Sequence, residues 1–139
     1  MDSGTTPPVR DFLARKVRDG ASSAQVADAI LAAWRQITSE MAPVIGQRGV
    51  AAMFIRSLHL AVAAHPWLGA AQPGGHASMD LGALRSALER QGSAEAAAGG
   101  GALLLTFHGV VVSLIGPTLC GQLLGAMWRN FFSGATPSP

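Results

Sequence analysis

Four histidines and one cysteine are the side chains of this sequence most suited to a catalytic or metal site. They are His59, His65, His76, His108 and Cys120. No two of them stand at the i, i+4 or C-x-x-C spacing that zinc sites use. Cys120 follows an apolar stretch, where burial raises the pKa of a thiol and makes it inert. The sequence therefore predicts no metal site.

The acidic and nucleophilic residues form no recognisable catalytic arrangement either. The eight acids fall almost entirely on predicted polar helix faces or at caps, with no pair placed for acid–base work. No serine or cysteine has a G-x-S-x-G context, and no glycine run carries the lysine of a phosphate-binding loop. We therefore expect a protein that is not an enzyme and that needs no cofactor.

His108 has a sharper interpretation than the other histidines. Phosphotransfer bundles expose a histidine followed by a lysine and a glycine, but here Gly109 and three valines follow, without a lysine. We favour a histidine that lies in the core with its hydrogen bonds satisfied. A histidine phosphotransfer module stays an alternative. A ligand or haem pocket is another alternative, because small residues nearby leave room within a helical core. Its candidate lining residues are Phe107, His108, Gly121, Gly125 and Trp128.

His59 belongs to a candidate interface. On a helix predicted over residues 44–64, His59 projects away from the core stripe that contains Phe54. The surrounding face mixes apolar and cationic side chains, as protein interfaces do. A contact with the N-terminal helix of the same chain is an equal alternative to a dimer contact. The candidate interface residues are Arg48, Ile55, Arg56, His59 and Val62.

Turn residues and apolar periodicity predict helices and no strand. A capping box at Ser22 and Gln25 begins the clearest helix, whereas Gly99–Gly101 should break or fray a later one. The segment 67–77 reads as a loop. Predicted helices begin near Thr6, Ser22, Pro43, Ser78 and Ser93, and Gly116-Pro117 interrupts the last. We expect a short basic N-terminal arm and helix (1–21), a helical bundle (22–132) and a disordered tail (133–139).

The stretch between Glu95 and Arg129 contains no charged side chain. Such a stretch either crosses a membrane or forms the centre of a helical core. Gly116-Pro117 divides it into two pieces that are nearer core-helix than spanning length, and the second piece keeps polar Thr118 and Gln122 away from its leucine stripe. The sequence therefore predicts an all-α fold: a compact bundle of about five or six helices with a buried C-terminal helical hairpin. A small membrane-inserted protein remains an alternative.

Size and charge narrow the functional classes. A chain of 139 residues forms one domain, and its net charge of +2 is too small to indicate nucleic-acid binding. The N-terminus has no export signal, and a single cysteine fits a reducing compartment. By elimination, the sequence predicts a cytoplasmic regulatory or signalling adaptor that forms a homodimer and binds an unknown protein partner. Apolar side chains in excess of what the core needs support that prediction.

Overall fold

The computed structural model describes residues 9–71 and 80–132, and these are predominantly helical. The α-helices are α1 (Val9–Arg18), α2 (Ser23–Ala61), α3 (Leu81–Glu89) and α4 (Ser93–Phe132), and a 3₁₀ helix, Pro66–Ala71, lies between α2 and α3. No strand occurs in these two ranges. The predicted all-α class is therefore confirmed. The compact bundle and the C-terminal hairpin stay predictions at this point.

The helix starts follow capping chemistry. Ser22 Oγ accepts a hydrogen bond from the Gln25 N–H at 3.2 Å, and the Gln25 side chain accepts one from the Ser22 N–H at 2.8 Å. This confirms the predicted capping box. The N-cap of α3 is Asp80, whose carboxylate accepts the Ala83 N–H at 3.0 Å, rather than the predicted Ser78. Ser78, Thr6 and the tail 133–139 lie outside the described residues.

Both long helices are interrupted by a glycine. Gly46 in α2 has φ 82° and ψ 159°, and Gly116 in α4 has φ 87° and ψ 157°, a region that is essentially restricted to glycine. The interruption predicted at Gly116-Pro117 is thus confirmed. The helix start predicted at Pro43 is wrong, because α2 continues through Pro43 and breaks at Gly46. We name the four segments α2N (23–45), α2C (47–61), α4N (93–115) and α4C (117–132).

Contacts across these glycines show that neither long helix is straight. The rings of Trp34 and Phe54 have centroids 4.9 Å apart, and those of His108 and Trp128 are 5.9 Å apart. The members of each pair are separated by twenty residues of sequence, which in a straight helix corresponds to about 30 Å. The helix axis therefore changes direction sharply at Gly46 and again at Gly116.

The two long helices correspond to each other at an offset of 70 residues. Ser93 lies 70 residues after Ser23, and Gly116 lies 70 residues after Gly46. Buried positions also coincide, although few of the residues are identical. The matching buried pairs are Val26 and Ala96, Ile30 and Gly100, Ala33 and Leu103, Trp34 and Leu104, Ile37 and Phe107, Met41 and Val111, Val50 and Cys120, and Phe54 and Leu124. The chain therefore contains two similar helical halves, a repeat that the sequence analysis missed.

The Gly99–Gly101 run does not break the helix, contrary to the prediction. A Cβ at Gly100 would lie 2.1 Å from Ile30 Cδ1, and one at Gly99 would lie 2.2 Å from Trp67 Cζ2. Glycine is therefore required here because α2N and the Trp67 ring approach the α4N backbone closely. Trp67 belongs to the 3₁₀ helix, so the first part of the predicted loop 67–77 is helical instead. The rest of that predicted loop, residues 72–77, lies outside the described residues.

The apolar helix α4 has the composition of either a core helix or a membrane helix. Residues 93–128 contain a window with a mean hydropathy of 1.9, of which 33% is buried. A core helix of a soluble protein meets the same criterion of length and hydropathy. The packing of the other helices on α4 is therefore the more informative observation.

Candidate interaction surfaces

Segment α2C carries the predicted interface residues. Its inward side buries Phe54 and Leu58 completely, since apolar residues recur there at helical spacing. Ile55 and Val62 are half-buried and pack against the edge of the core. The exposed side consists of Arg48, Arg56 and His59, joined by Leu60, which is 46% exposed. The structure therefore places the three cationic or titratable candidates on the surface and the two aliphatic candidates at its margin.

This exposed side of α2C is cationic and lacks carboxylates. The sequence contains no acid between Glu40 and Asp80. In the part of the chain that the structure describes, the ion pairs are His65–Glu95, Arg85–Asp28 and Arg85–Glu89. Arg48 and Arg56 therefore have no ion-pair partner within the described residues, and their charge is available to an external anionic group.

Exposed aliphatic side chains also flank the two helix-breaking glycines. Val44 is 55% exposed and Leu114 is 63% exposed, and both precede their glycine by two residues. Leu119, just after the second break, is 40% exposed. No charged side chain occurs in 41–47 or in 111–119. We use the name turn surface for the exposed side chains of Val44, Leu114 and Leu119.

The sequence analysis did not predict the turn surface, although a signal for it was present. Val44-Ile45-Gly46 and Leu114-Ile115-Gly116 repeat the same order of residue types, two aliphatic residues followed by a glycine, at the 70-residue offset. The repeat would have marked both segments as structurally equivalent.

The predicted pocket residues only partly come together. His108 is half-buried, its Nδ1 lies 3.8 Å from Cys120 Sγ, and its ring meets the Trp128 ring edge-on. Phe107 instead packs against Trp34, with centroids 4.9 Å apart. Gly121 is exposed, and a Cβ there would meet no atom within 4 Å.

Cys120 is the buried thiol of this cluster. Burial raises the pKa of the Cys120 thiol, as predicted, so the thiolate is disfavoured. Gly125 is half-buried on the same segment. Within the two described ranges, no group of three or more histidine, cysteine or acidic side chains is arranged to hold a metal ion. His76 lies outside those ranges.

A polar cluster joins the 3₁₀ helix to the start of α4. The indole Nε1–H of Trp67 donates to Glu95 Oε2 at 2.9 Å, and His65 Nδ1 lies 3.2 Å from the same oxygen. The hydrogen bond from Trp67, and then that with His65, lower the pKa of Glu95. Sequence reasoning missed this cluster because Trp67 and His65 lie 28 and 30 residues away from Glu95 in the chain.

No protein family model, curated protein or solved structure matches this chain.

Proposed function

We propose that this protein is a non-enzymatic cytoplasmic adaptor of regulatory or signalling type, which self-associates and binds a second protein. The observation that carries the proposal is the exposure of Val44, Leu114 and Leu119 around the two helix-breaking glycines. Large aliphatic side chains exposed together on a small domain are typical of a protein-binding surface.

We infer that the turn surface is one continuous end of a helical bundle. Ile30 meets Gly100, and Trp34 meets Phe107, so contact positions advance in the same direction along α2N and α4N. Parallel segments of equal length bring Gly46 and Gly116 to the same end. The contacts across each glycine favour two helical hairpins, of which the second is the predicted C-terminal hairpin.

The charge distribution favours a second copy of the chain as the occupant of the turn surface. A twofold symmetric contact pairs a surface with itself, so a surface that carries charge of one sign only meets the same sign on the partner. The turn surface contains no charge and avoids this cost. The exposed side of α2C would place Arg48 and Arg56 against the partner's arginines, and it therefore suits a different protein with an acidic surface.

Self-association is tested by replacing Val44 and Leu114 together with asparagine and measuring molar mass by size-exclusion chromatography with light scattering. We expect the wild-type protein to be a dimer and the double variant to be a monomer, because two apolar contacts are replaced by groups that prefer water. Both side chains are more than half exposed, so the fold should be retained.

Leu60→Asn is the matched control, because it removes an exposed leucine from α2C instead of from the turn surface. This variant should remain a dimer. A wild-type protein that is monomeric throughout the micromolar range, or a Val44/Leu114 variant that still dimerises, contradicts the proposed self-association.

A further inference from the structure

An open cleft of about 550 Å³ lies between α1 and α4N. Small side chains of α4N form one side of the cleft. The other side is formed by α1, on a face that does not include its buried residue Leu13. None of the described residues that line the cleft is a carboxylate. We call Ala94, Ala98 and Ala102 the floor of the cleft and Arg10, Arg18 and His65 its rim.

The corresponding seam in the other half of the molecule is bridged. There α3 packs on α2N, and Arg85 forms an ion pair with Asp28 across the seam. Ser23 Oγ also donates to the Glu89 carbonyl at 3.3 Å. At the 70-residue offset, Ala98 occupies the position of Asp28. Among the described residues, the seam between α1 and α4N therefore lacks the carboxylate that bridges its counterpart.

The two arginines at the rim carry positive charge that the described residues do not neutralise. Arg10 and Arg18 are exposed and take part in none of the ion pairs among those residues. They are eight residues apart on α1, which corresponds to about 12 Å along the helix. Glu95 is near His65, but its carboxylate is engaged by His65 and Trp67 and does not line the cleft.

We propose that this cleft binds a small amphiphilic carboxylate, with its apolar body on the alanine floor and its carboxylate on Arg10 or Arg18. Arginine binds a carboxylate through two parallel hydrogen bonds, which suits it to this role. Small apolar side chains leave room for an alkyl chain of up to about 12 Å beside the helix. Because the ligand would contact both α1 and α4, its binding would stabilise the seam between them, a sensing role beyond that of an adaptor.

The test is isothermal titration calorimetry of the full chain with sodium decanoate below its micellar concentration, compared with decan-1-ol. We expect decanoate to bind at one molecule per chain. Arg10→Ala/Arg18→Ala should weaken decanoate binding by about tenfold or more and leave decanol binding unchanged. Ala98→Leu, at an exposed floor position, should weaken the binding of both. Arg35→Ala, which removes an exposed arginine from α2N, is the matched control and should bind decanoate like the wild type.

Several results would overturn the proposal. These are no binding of decanoate by the wild type, equal binding by the double arginine variant, and decanol binding as tight as that of decanoate. Decanoate binding only after removal of residues 1–8 would also overturn it, because the occupant would then be the chain's own N-terminus. Circular dichroism of each variant checks that its helix content is retained.

Discussion

At the scale of single residues, Glu95 is a carboxylate bonded to two side chains from outside its own helix. One of its carboxylate oxygens faces both the Trp67 indole and the His65 ring, and the Trp67 ring rests on Gly99 one turn further along α4. The cluster therefore fixes the 3₁₀ helix against α4N. Its hydrogen bonds favour the ionised carboxylate, which lowers the pKa of Glu95 from its ordinary value of 4.5.

The lowered pKa makes a contribution to stability that depends on pH. A carboxylate with a lower pKa in the folded state stabilises the fold above its unfolded pKa, and this stabilisation is lost as the pH falls through the folded pKa. The destabilisation caused by Glu95→Gln should therefore be largest above about pH 5 and should shrink towards about pH 3. Melting temperatures of the two proteins across this range provide the measurement.

Glu40→Gln is the matched control for this experiment, since Glu40 is exposed on α2N and is bonded only to the neighbouring Gln36 side chain among the described hydrogen bonds. Its effect should vary less with pH. A difference in melting temperature between wild type and Glu95→Gln that is constant over the whole range would contradict the role assigned to the carboxylate.

At the scale of the helices, the glycines in α4 have two distinct roles. Gly116 has a positive φ and ends one helical segment before Pro117 begins the next. Gly99 and Gly100 are helical and buried, and they allow other side chains to approach the backbone. The same residue type is therefore required for backbone conformation at one position and for space at the others.

Gly116→Ala should destabilise the protein by about 1–3 kcal/mol, because alanine is strained at this φ and ψ. Gly121→Ala is its counterpart, since Gly121 is exposed within α4C and a Cβ there meets no atom within 4 Å. That variant should gain up to about 1 kcal/mol from the higher helix propensity of alanine. Urea unfolding curves give both values. Equal effects of the two substitutions would mean that Gly116 is not a required break.

These elements also show what the sequence could reveal. The capping box at Ser22 and the break at Gly116 were predictable because each depends on residues adjacent in sequence. The break at Gly46 was not predicted. A helix start at Pro43 was predicted instead, because proline is the stronger signal of a helix boundary. The role of Gly100 was not predictable, because it depends on Ile30 in another helix. Among the candidate sites, the predicted interface residues are close in sequence, whereas the α1–α4N cleft depends on tertiary packing.

At the scale of the whole molecule, the other helices converge on the α4N backbone at two adjacent glycines. Leu13 of α1 comes within 3.2 Å of a Cβ placed at Gly101. Ile30 of α2 and Leu88 of α3 come within 2.1 and 3.4 Å of one at Gly100. All three side chains are at most 1% exposed. The buried stripes of α1, α2 and α3 thus pack on α4N, as the predicted soluble bundle requires.

Substitution of these glycines distinguishes a core helix from a membrane helix by the sign of its effect. Gly100→Leu makes α4N more apolar, which would favour insertion into a membrane, but in a bundle it should destabilise the fold by about 1–3 kcal/mol through overpacking against Ile30. Gly109→Leu adds the same apolar group at an exposed position with open space around it, and it should be tolerated. We expect the protein to be purified without detergent and to unfold cooperatively in urea. Of the two variants, only Gly100→Leu should be strongly destabilised. Recovery of the wild type solely in the carbonate-resistant membrane fraction would refute a soluble bundle.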